Sequence, residues 1–91
     1  MESPALHDPG AKKAIDARLA RVEGQVRAVR RMIVEDESCE AIALQLAAGR
    51  KALDRAFYEM VSCMIRSEPP SGVVARRERA SQVARLLARF G

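Results

Sequence analysis

The stretch SCEAIALQLAAGRKALDRAFYEMVSCMIRSE, Ser38 to Glu68, decides the fold of this 91-residue chain. It holds no proline and one interior glycine, Gly49. Ile42, Leu46, Leu53, Phe57, Met60 and Met64 recur at steps of three, four and once seven, the periodicity of an amphipathic helix. At 1.5 Å of rise per residue that helix is roughly 45 Å long. A compact monomer of this length has a radius of gyration of only about 12 Å. The apolar stripe therefore outruns what the remaining helices can cover, and the sequence predicts an obligate oligomer built on this helix.

The same helix carries chemistry at its two ends. Advancing by its period, Cys39, Met64 and Glu68 fall within roughly 40° of one another. Cys39 and Met64 are nevertheless about 37 Å apart along the axis, so they share a face and cannot meet within one chain. An antiparallel second copy, related by a twofold axis near the helix middle, brings Cys39 of one subunit beside Met64 and Glu68 of the other, giving two identical sites. Ser38 is a good N-cap and places Cys39 in the first turn. Free N–H groups and the dipole favour the thiolate there, the form that binds metals and attacks electrophiles. The competing reading is a buried structural cysteine. Cys63, about 100° round from Met64, is either a resolving second thiol for Cys39 of the other subunit or a small core residue.

Composition sets the outer limits. With 3% aromatic residues and no tryptophan, the chain reads as a single domain of helix packed on helix. Sixteen Lys and Arg against twelve Asp and Glu give a net charge of +4 and a pI near 9.7. That balance suits an acidic partner such as DNA, and equally a solvated basic surface. The N-terminal MESPALHDPG has no apolar run, and no stretch of about 18 apolar residues could cross a membrane. The expectation is a cytoplasmic protein with reduced thiols and no membrane partner. No Gly-rich phosphate loop or Ser/His/Asp set is present. A Cys39 nucleophile would have only His7 as base, so the chain is not read as an enzyme.

Around the central helix the chain divides simply, into a flexible arm (residues 1–10) and one helical domain (11–91). Helices are expected over about 11–35, 39–67 and 74–90, an all-α subunit too long-limbed for a winged helix or compact helix-turn-helix. In helix 1, Ile15, Leu19, Val22, Val26, Val29 and Ile33 form a heptad-like seam. Arg18, Arg21 and Gln25 flank it on one side, Lys12 and Arg30 on the other. Gly24 lies off the seam, where glycine is costly unless something approaches closely. Glu35, Asp36, Glu37 and Glu40 then bracket Cys39. Lys51 and Arg55 point away from the apolar stripe. Pro69 to Gly72 ends helix 2, and helix 3 presents Val83, Leu86, Leu87 and Phe90 on one face. Its first turns hold Arg76, Arg77 and Arg79, unfavourable for the dipole, which reads as anion binding or as surface indifference.

RLARVEGQVRAVRRMI (18–33), Cys39 and LQLAAGRKALDRA (44–56) together resemble the CsoR/RcnR/FrmR family of bacterial transcriptional repressors, over about Lys12 to Phe90. The resemblance implies an antiparallel four-helix-bundle homodimer, pairing into a flat homotetramer that binds double-stranded operator DNA across a broad basic face. An inducer bound between subunits releases the DNA, and relatives sense copper(I), nickel or cobalt, zinc, formaldehyde or sulfane sulfur. The family's sensor site is a cysteine opening helix 2, a histidine 25 residues later and a third ligand four further on. Those positions here are Cys39, Met64 and Glu68. The cysteine matches, Glu68 resembles the formaldehyde- and zinc-responsive branch, and Met64 replaces the histidine. Some nickel and cobalt sensors add a histidine 32 residues before the cysteine, which is His7 here. The resemblance assigns DNA contact to Arg18, Arg21, Lys51 and Arg55.

Ligand chemistry leaves the inducer open. Copper(I) favours the soft pair Cys39 and Met64, although the family's copper site has a second cysteine where this chain has Glu68. Zinc, nickel or cobalt would be better served by Cys39, His7 and Glu68. Formaldehyde needs the Cys39 thiolate and a nearby amine. A site that no longer responds is a further alternative. A reading of another class is a helical interaction or metal-carrier module without DNA binding, in which Arg18, Lys51 and Arg55 share no surface.

Overall fold

The computed structural model of the chain describes residues 5–66 and 72–91. Three helices, α1 (Pro9–Val34), α2 (Cys39–Arg66) and α3 (Val73–Phe90), account for them, with no strand among the described residues. The fold is all-α with a long central helix.

α1 begins at Pro9, two residues before the expected start. The Asp8 carboxylate accepts the Gly10 N–H at 3.1 Å, and the Asp8 carbonyl accepts Lys12 N–H at 2.9 Å. Pro9 occupies the position where a missing N–H costs nothing. Asp-Pro-Gly is turn chemistry in a sequence and a helix start in the structure, so His7 stands directly before a capped helix. α1 closes with Glu37 N–H bonded to Met32 O at 3.0 Å, across Asp36 at φ 56°. That is a left-handed C-terminal cap of the kind glycine usually makes, and aspartate tolerates it. The Ser38 hydroxyl accepts the Ala41 N–H at 3.1 Å and opens α2, as expected of an N-cap.

α1 and α2 pack side by side as an antiparallel hairpin, with Arg18 against Glu59 and Gln25 against Gly49 fixing the register. Here the seam of α1 splits. Ile15, Val22 and Val29 are buried on α2, whereas Leu19, Val26 and Ile33 are 40%, 53% and 58% exposed. α2 does the same: Ala56, Val61 and Cys63 are buried, while Leu46, Leu53 and Met60 remain 57%, 48% and 47% exposed. Ala56 and Cys63 lie on the face of α2 toward α1, Val61 lies well round the helix from them, and Leu46, Leu53 and Met60 form an outer stripe continued by Leu19, Val26 and Ile33. The result is a plate of 58 × 27 × 15 Å with a radius of gyration of 17.3 Å, well above the roughly 12 Å of a compact chain this long.

α3 packs on α2 and not on α1 among the described residues, burying Val83. Arg79 Nη1 donates to the Met64 carbonyl at 3.2 Å. A cation on a carbonyl near the C-terminus of α2 offsets the negative end of its dipole, which gives one of the arginines in the first two turns of α3 a structural task. Gly24 has nothing within 4 Å of a built Cβ. Gly24→Ala should therefore raise stability by about 1 kcal/mol, or about 4–8 °C in Tm. Thermal unfolding checks this; a lowered Tm would show that another chain packs on α1 at that point.

Candidate functional site

Cys39 is the first residue of α2, exposed and not disulfide-bonded. It sits within a turn whose carboxylates, Glu35, Asp36, Glu37 and Glu40, are all exposed. At the other end of α2, half-buried Met64 lines a groove of about 640 Å³ between α2 and α3. The remaining wall includes Gln82, Arg85, Leu86, Arg89 and Phe90, with the Arg89 guanidinium 5.1 Å from the Phe90 ring centroid. Met64 lies one turn beyond Met60 on the helix face that carries Leu46 and Leu53, so the groove is the far end of the exposed stripe.

Because the hairpin is antiparallel, His7 lies at the Met64 end of the plate and Cys39 at the opposite end. Glu68 lies outside the described residues. Among the described residues, no three His, Cys, Asp or Glu side chains come together to hold a metal ion. Cys39 and Met64 stand at opposite ends of α2 and do not meet within one chain. Cys63 is buried on the side of α2 that faces α1, away from the stripe, which is the position of a core residue and not of a thiol open to a second subunit.

The basic residues occupy the other side of the hairpin. Arg18 Nε donates to Glu59 Oε2 at 2.5 Å, both side chains being half-buried. This cross-helix partner was not visible in the sequence, where Glu59 shows only as one turn past Arg55. Arg21, Lys51 and Arg55 are exposed. By helix period Arg21 flanks Arg18 on α1, and Arg55 precedes Glu59 by one turn on α2, so the Arg18–Glu59 contact brings these cations to one edge of the hairpin, opposite the apolar stripe. Arg85 and Arg89 of the groove, like Glu59, carried no signal in the sequence, because their placement depends on how α3 folds back on α2.

The family model for metal-sensitive transcriptional repressors matches residues 11–89. The chain belongs to that family. Repression of transcription by a CsoR/FrmR-type regulator is therefore its function, and the resemblance read from RLARVEGQVRAVRRMI and LQLAAGRKALDRA holds over nearly the whole chain. A solved structure, that of a glutamate-to-histidine variant of the formaldehyde-responsive regulator FrmR from Salmonella enterica serovar Typhimurium, is similar in sequence and fold. It is 32% identical with a TM-score of 0.79, covering 93% of this chain and 99% of its own. Operator DNA follows as the partner of a metal-sensitive transcriptional repressor, and a metal or small molecule as its inducer. No helix among the described residues is long and apolar enough to cross a membrane.

Proposed function

We propose that two copies of this repressor pack antiparallel through the Leu46–Leu53–Met60 and Leu19–Val26–Ile33 rows, and that such dimers pair into a tetramer. The tetramer binds operator DNA through Arg21, Lys51, Arg55 and Arg18. An inducer at Cys39 of one subunit, beside His7, Met64 and Glu68 of the other, releases it. One observation carries this reading: large apolar side chains left open along the whole length of α2, on the face that holds Cys39 at one end and Met64 at the other. The basic edge supports the DNA half of the proposal, since it lies on the opposite side and stays free when the stripe is covered.

The donor set decides what the inducer site can do. Cys39 and Met64 offer sulfur to a soft ion such as copper(I), while His7 and Glu68 would add the donors that zinc, nickel or cobalt prefer. A metal there would supply bonds that draw two subunits together. An electrophile such as formaldehyde requires the thiolate and a nearby amine: Cys39 sulfur adds to the carbonyl carbon and the oxygen takes a proton, and the amine nitrogen then displaces that hydroxyl as water, leaving a methylene bridge between sulfur and nitrogen. Either event changes the relation of two subunits, and release of DNA is then a coupling free energy between sites.

Fluorescence anisotropy on DNA from the gene's own promoter tests the reading. Binding should weaken steeply with salt, because neutralised phosphates release counterions. Arg21→Ala, Lys51→Ala and Arg55→Ala should each weaken it and flatten the salt slope, as phosphate contacts do. Arg18→Ala should weaken it less, since its guanidinium is shared with Glu59. A protein that binds no promoter DNA would return the chain to the interaction-module reading.

A further inference from the structure

A carboxylate stands on the edge of the hairpin that the proposed function gives to DNA. Lys51 and Arg55 of α2 and Arg21 of α1 are exposed there, and Glu59 follows Arg55 by one turn. Simple attraction to phosphate has no use for an anion at that place. Glu59 is nevertheless firmly held: its Oε2 accepts Arg18 Nε at 2.5 Å, with both side chains half-buried. The pair Arg27–Glu23 is a contrast, spanning 3.8 Å on open surface, where an ion pair contributes little. The Arg18 bond leaves from Nε, the inner edge of the guanidinium. Among the described residues that guanidinium makes no other hydrogen bond, so both Nη groups keep their N–H donors for a partner outside the chain.

From this we infer that Glu59 is a positioning residue for DNA binding: it grips Arg18 from behind and sets the outer Nη fork toward a phosphate. The inference rests on the DNA half of the proposed function and adds how one of its arginines is aimed. A long side chain alone on a helix surface samples many rotamers, and immobilising it on binding costs roughly 2- to 10-fold in affinity at each contact. The Glu59 bond meets that cost during folding. The planar guanidinium offers donors on separate edges. Arg18 therefore serves the carboxylate through Nε and a phosphate through its Nη groups at once, releasing neither for the other. Because the bond joins residues 41 apart in sequence, it also ties the aim of Arg18 to the register of α1 on α2.

Charge-matched substitutions test this. Glu59→Gln and Glu59→Ala remove the same negative charge, but only glutamine keeps an oxygen that accepts Arg18 Nε. In anisotropy on promoter DNA across a salt series, Glu59→Gln should bind at least as tightly as wild type with an unchanged salt slope. Glu59→Ala should bind roughly 2- to 10-fold more weakly than Glu59→Gln, with a flatter slope as a phosphate contact is lost. Glu59→Met, which keeps the side-chain length without the acceptor, should follow the alanine variant and so separates aim from packing. Helical circular dichroism should be the same for all three. In an Arg18→Ala background the differences should vanish. Equal binding by the glutamine and alanine variants overturns the inference, and tighter binding by both would make Glu59 a brake on the edge instead. A difference that survives in the Arg18→Ala background also overturns it, because the effect would not run through Arg18. In each of these cases, weakening by Arg21→Ala, Lys51→Ala and Arg55→Ala leaves DNA binding by the edge in place. A wild-type protein that binds no promoter DNA overturns both.

Discussion

Leu53→Asp should convert the repressor to species that neither associate nor bind operator DNA. Leu53 stands at the middle of the stripe, close to where the twofold axis of an antiparallel pair would pass, and it is 48% exposed in the single chain. Its loss therefore costs the isolated hairpin little. In the dimer it is felt twice, once per subunit. Fully burying a leucine is worth about 1.5–3 kcal/mol, and about half of Leu53 is left to bury, so the apolar part alone is about 1.5–3 kcal/mol per dimer, or roughly 10- to 150-fold in the dissociation constant. Two carboxylates facing each other near the axis add to that. Sedimentation equilibrium across a concentration series reads the outcome. A variant with wild-type association would show that the stripe is not the interface.

Cys39→Ala should separate repression from induction. Cys39 is exposed at the start of α2 and makes no disulfide, so the substitution removes no packing, and promoter affinity should stay within about twofold of wild type. Induction that depends on the thiolate should vanish. In the wild type a coupling of about 1–3 kcal/mol would lower DNA affinity about 5- to 150-fold on saturation; in the variant that ratio becomes one. Titrations with copper(I), zinc, nickel, cobalt, formaldehyde and a persulfide donor, each against wild type and variant, name the inducer by the one ratio that collapses. If an additive releases both proteins equally, its site is elsewhere. Met64→His separates the metals further: restoring an imidazole donor should strengthen zinc, nickel or cobalt binding and leave a purely thiolate reaction unchanged.

What the sequence disclosed and what it withheld divide along a physical line. Periods along one helix are local, so Ser38 as a cap, Cys39 in the first turn and the length of α2 could be read directly. Asp8-Pro9-Gly10 misled because the same residues serve a turn and a capped helix start, and only the bonds from Gly10 and Lys12 to Asp8 distinguish them. The seam of α1 looked single because Ile15, Leu19, Val22, Val26, Val29 and Ile33 are alike in type; which of them face α2 depends on the packing angle, and half of them do not. Arg18–Glu59 and Arg79 on the Met64 carbonyl join residues far apart in sequence, and neither position carries a mark of its partner. The candidate site is the extreme case, since Cys39 and Met64 are brought together by no single chain.

The division of each seam into a buried and an open row also has a consequence for the cell. A hairpin that leaves Leu19, Val26, Ile33, Leu46, Leu53 and Met60 in water is only partly paid for by its own contacts; in the proposed dimer its folding would be completed by a second copy, and its melting temperature should rise with protein concentration. Few copies of a regulator are needed for one operator. At such scarcity, for the proposed dimer, how much of the repressor exists and how much of it is folded would become the same quantity, and control of its synthesis would be control of its structure.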